Sequence, residues 1–310
     1  MTLKGMFFYT KPWKKLLLLL WLLCVSFIIT YVVSITSAFF IFGNKVFDAS
    51  FINELSSDSS SLFILKYLQV FNSLGLFLLP SILIGWLTYG SIKDYFRLNF
   101  NFSILKVFLV AILAFSLLPI SNFLAEINHS ITFPSFLADF ENYLRLAEKN
   151  SEQLTQTFIN ADNLQILALN IFVIAVIPAF AEEFFFRGAL QRIFVEWFKN
   201  IHWGIIITAI IFSAVHMQFF TFIPRFFLGL VFGYMLEYSK TLWLPIVAHF
   251  INNAAAVTVY YLINKNIIPQ ETEKIGNSQS FMWLLMAIII SAVLLYLILI
   301  NKNVSRKCVE

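Results

Sequence analysis

Seven stretches of the chain carry no Asp, Glu, Lys or Arg: 16–44, 67–92, 107–125, 163–181, 200–224, 241–264 and 275–301. Each is long enough, or nearly so, to cross a hydrocarbon core of about 30 Å as a helix rising roughly 1.5 Å per residue. A run of this kind cannot be coated with water in a soluble fold. Hydrophobic residues make up 60% of the 310 positions and charged ones only 12%, about half the usual share of a soluble domain. That excludes a soluble globular enzyme and a disordered chain. The 37 Phe suit a lipid-facing surface and do not suit a nucleic-acid-binding patch, so no nucleic-acid partner is expected.

The expected fold is therefore all-α, a polytopic transmembrane bundle of about eight helices near 16–42, 68–89, 103–125, 164–188, 202–220, 223–239, 242–263 and 281–300. Residues 223–239 are the least obvious span, because they begin at Pro224 and meet Glu237 near their end. Within them Gly229 and Gly233 form a G-x-x-x-G pair, which permits close helix packing. Orientation follows the bias of Lys and Arg toward the cytoplasmic side. With the N-terminus inside, two thirds of the 21 basic residues fall in inner segments, among them Lys11, Lys14, Lys15, Lys93, Arg97, Arg192, Lys199, Lys240 and the tail residues Lys302, Arg306 and Lys307. Arg145, Lys149, Arg225 and Lys265 fall outside. Both termini are expected to be cytoplasmic. The Phe-, Ile-, Asn- and Lys-rich composition points to a bacterial cell membrane. The polar segment 127–162 has helix-like apolar spacing over 136–158, which predicts an amphipathic outer helix, either a solvated helix packed on the bundle or a gate. Neither Cys24 nor Cys308 suggests a disulfide or a Cys-based metal site.

Ionisable groups inside membrane helices cost roughly 2.5–3.5 kcal/mol each when uncompensated, and so mark function. They cluster in helices four to seven. Glu183 and Arg187 are i and i+4 on one helical face and can pair. Glu182 is turned about 100° away and has no local partner. Pro178, four residues earlier, removes a backbone bond and can open a water pocket. His216 and the His249/Asn253 pair (also i, i+4) come from two further helices. For each group a structural alternative exists: a boundary salt bridge for Glu183 and Arg187, a capped cavity for His216, and interhelical hydrogen bonding for His249, Asn252 and Asn253. Glu237 reads as a boundary ion pair with Arg225 or Lys240, and His129 and His202 as interfacial. A carboxylate, two imidazoles and an amide form a hydrolytic set in two ways. They can ligate zinc with one position left for water, or activate water directly and stabilise an oxyanion.

Glu182-Glu183-x-x-x-Arg187, then Phe212-x-x-x-His216, then His249-x-x-x-Asn253, in this order on successive apolar helices, resembles the three-motif signature of the CPBP (Abi) family of intramembrane proteases, relatives of the CAAX-prenyl protease Rce1. The resemblance covers about 163–263, bracketed by N-terminal helices and the outer segment (1–162) and by a last helix and basic tail (264–310). It implies an intramembrane endopeptidase reached from the cytoplasmic side. Glu182 would be the general base, polarised with His216. His249 and Asn253 would donate to the oxyanion, and Glu183 and Arg187 would orient the site. The implied substrate is a membrane-associated peptide, hydrophobic or lipid-modified, met among membrane lipids. Whether a divalent metal such as zinc takes part, held by Glu182, His216 and His249, or none does, is open. The sequence has no H-E-x-x-H, so a zincin is excluded. A proton-coupled carrier and a peptide-binding scaffold are the non-protease readings.

Overall fold

The computed structural model describes residues 3–47, 59–275 and 281–299; the tail 302–310, with Cys308, lies outside them. Among the described residues the fold is all-α, and we number its principal helices α1 (Pro12–Phe42), α2 (Ser61–Thr88), α3 (Ile104–His129), α4 (Ala138–Ile159), α5 (Leu164–Phe198), α6 (Ile201–Ala214), α7 (Phe222–Ser239), α8 (Trp243–Asn264) and α9 (Phe281–Leu299). Seven of these, all except α4 and α6, are long and apolar enough to cross a membrane. The protein is a multi-pass integral membrane protein.

Two of the boundaries that depart from the sequence expectation matter for the site. The expected fourth span ended at 188, but α5 runs on to Phe198. Glu183 and Arg187 do not stop it because they neutralise each other inside the bundle, with Arg187 Nη1 2.9 Å from Glu183 Oε1. The helix ends only at Lys199, which takes the left-handed conformation (φ 50°). The expected fifth span reached 220, but α6 stops at Ala214 after 14 residues. At about 1.5 Å per residue it rises roughly 21 Å, short of the roughly 30 Å core. Its start is fixed by the Asn200 side chain, which accepts from the backbone N–H groups of His202 and Trp203. Its end is tied by the His216 ring, which donates to the Phe212 carbonyl at 2.8 Å and so satisfies an orphan acceptor of the last turn. Met217 (φ 55°) then reverses the chain.

The bundle has two distinct ends. At one, the N-terminal segment pairs with the end of α2 (Gly5 N–H to the Trp86 carbonyl, Phe7 N–H to the Leu87 carbonyl). Lys15 meets Glu196 at 2.8 Å, and Arg97 meets Glu237 at 3.0 Å. Glu237 thus pairs with Arg97 and, at 3.7 Å, with Lys240, and not with Arg225. At the other end, α4 lies across the tops of α5, α7 and α8. Glu148 accepts from the Phe220 N–H and from the Thr221 hydroxyl, while Asn170 donates to the Ile159 carbonyl. Outside the spans, the Phe133 N–H and the Arg145 guanidinium both donate to Glu141 and hold its carboxyl below the usual range.

Two buried apolar clusters flank the polar centre. One joins α1, α2 and α5 (Leu19, Ile84, Phe186, Ile193), and the other joins α3, α7, α8 and α9 (Leu113, Phe232, Leu244, Leu294). The glycine pair works at the join between α6 and α7. A Cβ on Gly229 would lie 3.0 Å from the Ala209 Cβ, and one on Gly233 would lie 2.8 Å from Ile205 and from the Gln191 side chain. That approach keeps α6 against α7.

Candidate active site

The segment of α5 that carries the acidic pair is not a regular α-helix. It widens into π turns at Ile171–Val176 and Glu183–Leu190, on either side of Pro178. Pro178 has no N–H for the Ile174 carbonyl four residues back, the usual helical acceptor. That carbonyl instead takes the Nδ2–H of Asn253 on α8, at 3.2 Å. One imino acid therefore both loosens α5 and sets the orientation of an amide on a neighbouring helix. π turns of this kind are frequent at functional sites.

The polar groups form two layers. The inner layer is shut away from solvent. Glu183 (0% exposed) and Arg187 (1%) pair at 2.9 Å, and the guanidinium sits 4.3 Å from the Phe212 ring centre, with Phe232 and Phe186 further off. The same Glu183 Oε1 lies 2.8 Å from His249 Nδ1. A carboxylate paired with Arg only accepts, so Nδ1 carries the proton and Nε2 is the free position of His249. Nε2 points back to Glu182, 3.9 Å from its Oε2. His249 stacks on Phe232 and meets the edge of Phe212, so its plane is fixed. A single histidine thus connects the two adjacent glutamates.

The outer layer lines a cavity of about 730 Å³, whose walls include Glu182, His216, Asn253, Pro178, Gln218, Arg225 and Tyr260, with Ser151, Thr155 and Phe158 of α4. Because His216 spends Nδ1–H on the Phe212 carbonyl, its Nε2 keeps a lone pair. Asn253 spends one amide hydrogen on Ile174 and keeps another. The turn 215–218 puts His216 and Gln218 on the cavity wall, while Val215 and Met217 are exposed. Of the six site residues read from the sequence, Glu182, His216 and Asn253 share the cavity wall, while Glu183, Arg187 and His249 stand behind it. Asn252 contacts Asn253 (3.4 Å), and His202 contacts Tyr234 at the bundle's rim.

Three features were not read from the sequence. Arg225, taken for an outer loop charge, is a wall residue, because the short α6 brings the 215–221 turn down into the bundle. The α4 helix contributes directly to the cavity. The course of the cavity was the third: Glu182 sits mid-way along α5, and the cavity runs from it toward the α4 end, away from the N-terminal segment.

Among the described residues no three His, Cys, Asp or Glu side chains are grouped closely enough to hold an ion. His249 and His216 each keep Nε2 as the free ring nitrogen.

Comparison with known proteins gives the class. Residues 164–255 match the family described as type II CAAX prenyl endopeptidase, Rce1-like, and the matched stretch contains all six motif residues. Over these residues the chain is similar to that family, the resemblance that the three motifs led one to expect. It is 30% identical over 128 residues to the membrane-embedded CAAX protease MroQ of Staphylococcus aureus, covering 37% of this chain and 50% of that one. It is 33% identical over 89 residues to YpbD of Bacillus subtilis, a protein described as uncharacterized, covering 27% of this chain and 42% of that one. The matched parts span half or less of these curated relatives. No solved structure matches.

Proposed function

We propose that the protein is an intramembrane endopeptidase that hydrolyses a peptide bond of a membrane-associated, hydrophobic or lipid-modified substrate. The observation that carries this reading is the convergence of Glu182, His216 and Asn253 on one cavity, with His249 held between Glu182 and Glu183. Residues 163–263 are the catalytic core, α4 adds to the cavity wall, and the rest of 1–162 with 264–310 is scaffold. With both termini cytoplasmic, substrate reaches the site from the side of α4.

In the proposed step a water in the cavity gives its proton to Glu182 as its oxygen adds to the scissile carbonyl carbon. His216 Nε2 accepts the water's other hydrogen and aims its lone pair. The oxyanion takes the free Nδ2–H of Asn253 and, when His249 is doubly protonated, its Nε2–H. Glu183 holds the His249 ring by accepting from Nδ1, and Arg187 holds Glu183 in place. Collapse breaks the C–N bond, and the amine leaves with the proton stored on Glu182.

The test uses purified protein in proteoliposomes with a pool of N-palmitoyl decapeptides in ¹⁸O-water. Cleavage is expected to leave one heavy oxygen in each new C-terminal carboxylate, read by mass spectrometry. Intact peptides after prolonged incubation, with Glu182-dependent ion flux instead, would make the protein a carrier.

A further inference from the structure

Two arginines of the bundle are treated differently. Arg187 is matched by Glu183 at 2.9 Å and enclosed by phenylalanines. Arg225 lines the cavity, and among the described residues no carboxylate comes within 4.0 Å of it. Its Nη1 donates to the Thr221 hydroxyl at 2.7 Å, and its Nη2 donates to Gln218 Oε1. Both acceptors are neutral. They fix the plane of the guanidinium without cancelling its charge.

The fixing is itself supported. Gln218 Nε2 donates to Ser151 on α4 (2.8 Å), and Thr221 passes its own hydrogen to Glu148 (3.1 Å). Two of the five guanidinium donors are used, and three remain on a group whose position is set from two helices. A planar, always charged fork with free donors is the preferred partner of a carboxylate, which it binds bidentately. The carboxylates that act on it, Glu148 and Glu182, do so without contact, which leaves the contact position on the fork to a carboxylate that arrives with a ligand.

We propose that Arg225 is a specificity-determining residue that anchors a carboxylate of the substrate beside the scissile bond. The proposal rests on the endopeptidase reading and names its substrate class: peptides bearing an acidic side chain or a free C-terminal carboxylate close to the cleaved bond. A cavity of about 730 Å³ is about 11 Å across if equidimensional. At roughly 3.3 Å per extended residue, the carboxylate lies within about three residues of the bond.

The experiment compares wild type with Arg225→Gln and Arg225→Lys in proteoliposomes. The probes are matched N-palmitoyl decapeptides with Glu or Gln at each position and with free-acid or amidated C-termini. Wild type is expected to favour the carboxylate member of at least one pair by tenfold or more in kcat/KM, mainly through KM. In Arg225→Gln that ratio is expected to fall to within twofold of unity, and Arg225→Lys to retain part of it. Whether the ratio follows the side chain or the C-terminus identifies the source of the carboxylate. A merely structural role for Arg225 lowers both members of every pair equally, and that result overturns the proposal, as does a wild type with no preference. Binding of the same fluorescently labelled peptides is measured by anisotropy in parallel. A carboxylate preference in binding that Arg225→Gln abolishes, with no cleavage by wild type, sinks the endopeptidase reading and upholds the anchor. Absence of any preference in binding overturns the anchor.

Discussion

Glu182→Gln is expected to lower cleavage by about 10²–10⁴-fold, the usual worth of a positioned acid–base group, and to leave the fold intact. The carboxylate lies on a cavity wall with its side chain 15% exposed, and its nearest ionic neighbour is His249 at 3.9 Å. Replacing it with an amide of the same shape strips no buried cation of its partner. It removes only a charge that was itself costly to hold there. The loss should therefore appear in kcat, with thermal unfolding of the variant in the same micelles close to that of wild type. Cleavage within tenfold of wild type would remove Glu182 from the role of base.

The next residue is expected to behave in the opposite way. Glu183→Ala leaves Arg187 buried at 1% exposure among phenylalanines and unties His249 Nδ1 at once. Breaking one side of a buried pair typically costs about 3–5 kcal/mol, because the remaining charge is uncompensated. The expected result is a protein largely unfolded in mild denaturing micelles, followed by titration with SDS. The double variant Glu183→Leu, Arg187→Leu removes both charges and should recover a large part of that loss, a non-additivity that marks a coupled pair. If the double variant is as unstable as the sum of the singles, the pair is not the structural brace assigned here. Adjacent glutamates with opposite phenotypes, one catalytic and one structural, would separate the two layers of the site experimentally.

The membrane class was legible because charge-free length is a direct physical constraint, and the apolar segments appear close to where the windows put them. The pairing of Glu183 with Arg187 was legible too, since i and i+4 are neighbours on any helix. What the sequence concealed follows from distant partners. A charge pair that cancels internally looks like a helix end, so α5 was read ten residues short. The run 200–224 carries no Asp, Glu, Lys or Arg, and its apolar stretch does not announce that α6 ends at Ala214. The break depends on the His216 ring reaching the Phe212 carbonyl and on the reversal at Met217. Once that break is missed, Arg225 looks like a loop charge. The partner of Glu237, Arg97, is 140 residues away and could not be chosen over Lys240 or Arg225 by spacing. The cross-brace between Asn253 and the carbonyl that Pro178 leaves unmatched was half visible: the proline predicts a free acceptor, but not which helix supplies the donor.

The account turns on whether these separate helices share one wet hollow. An electron cryo-microscopy structure of the protein in a lipid nanodisc, at a resolution that shows side chains, measures this directly. The account requires His249 between Glu183 and Glu182, at hydrogen-bonding distance from the first and within about 4 Å of the second, with His216, Asn253 and Arg225 on the wall of a single cavity that opens beneath α4. Side chains of Glu182, His216 or Asn253 turned to lipid, or a cavity that opens only beside the N-terminal segment, would contradict it.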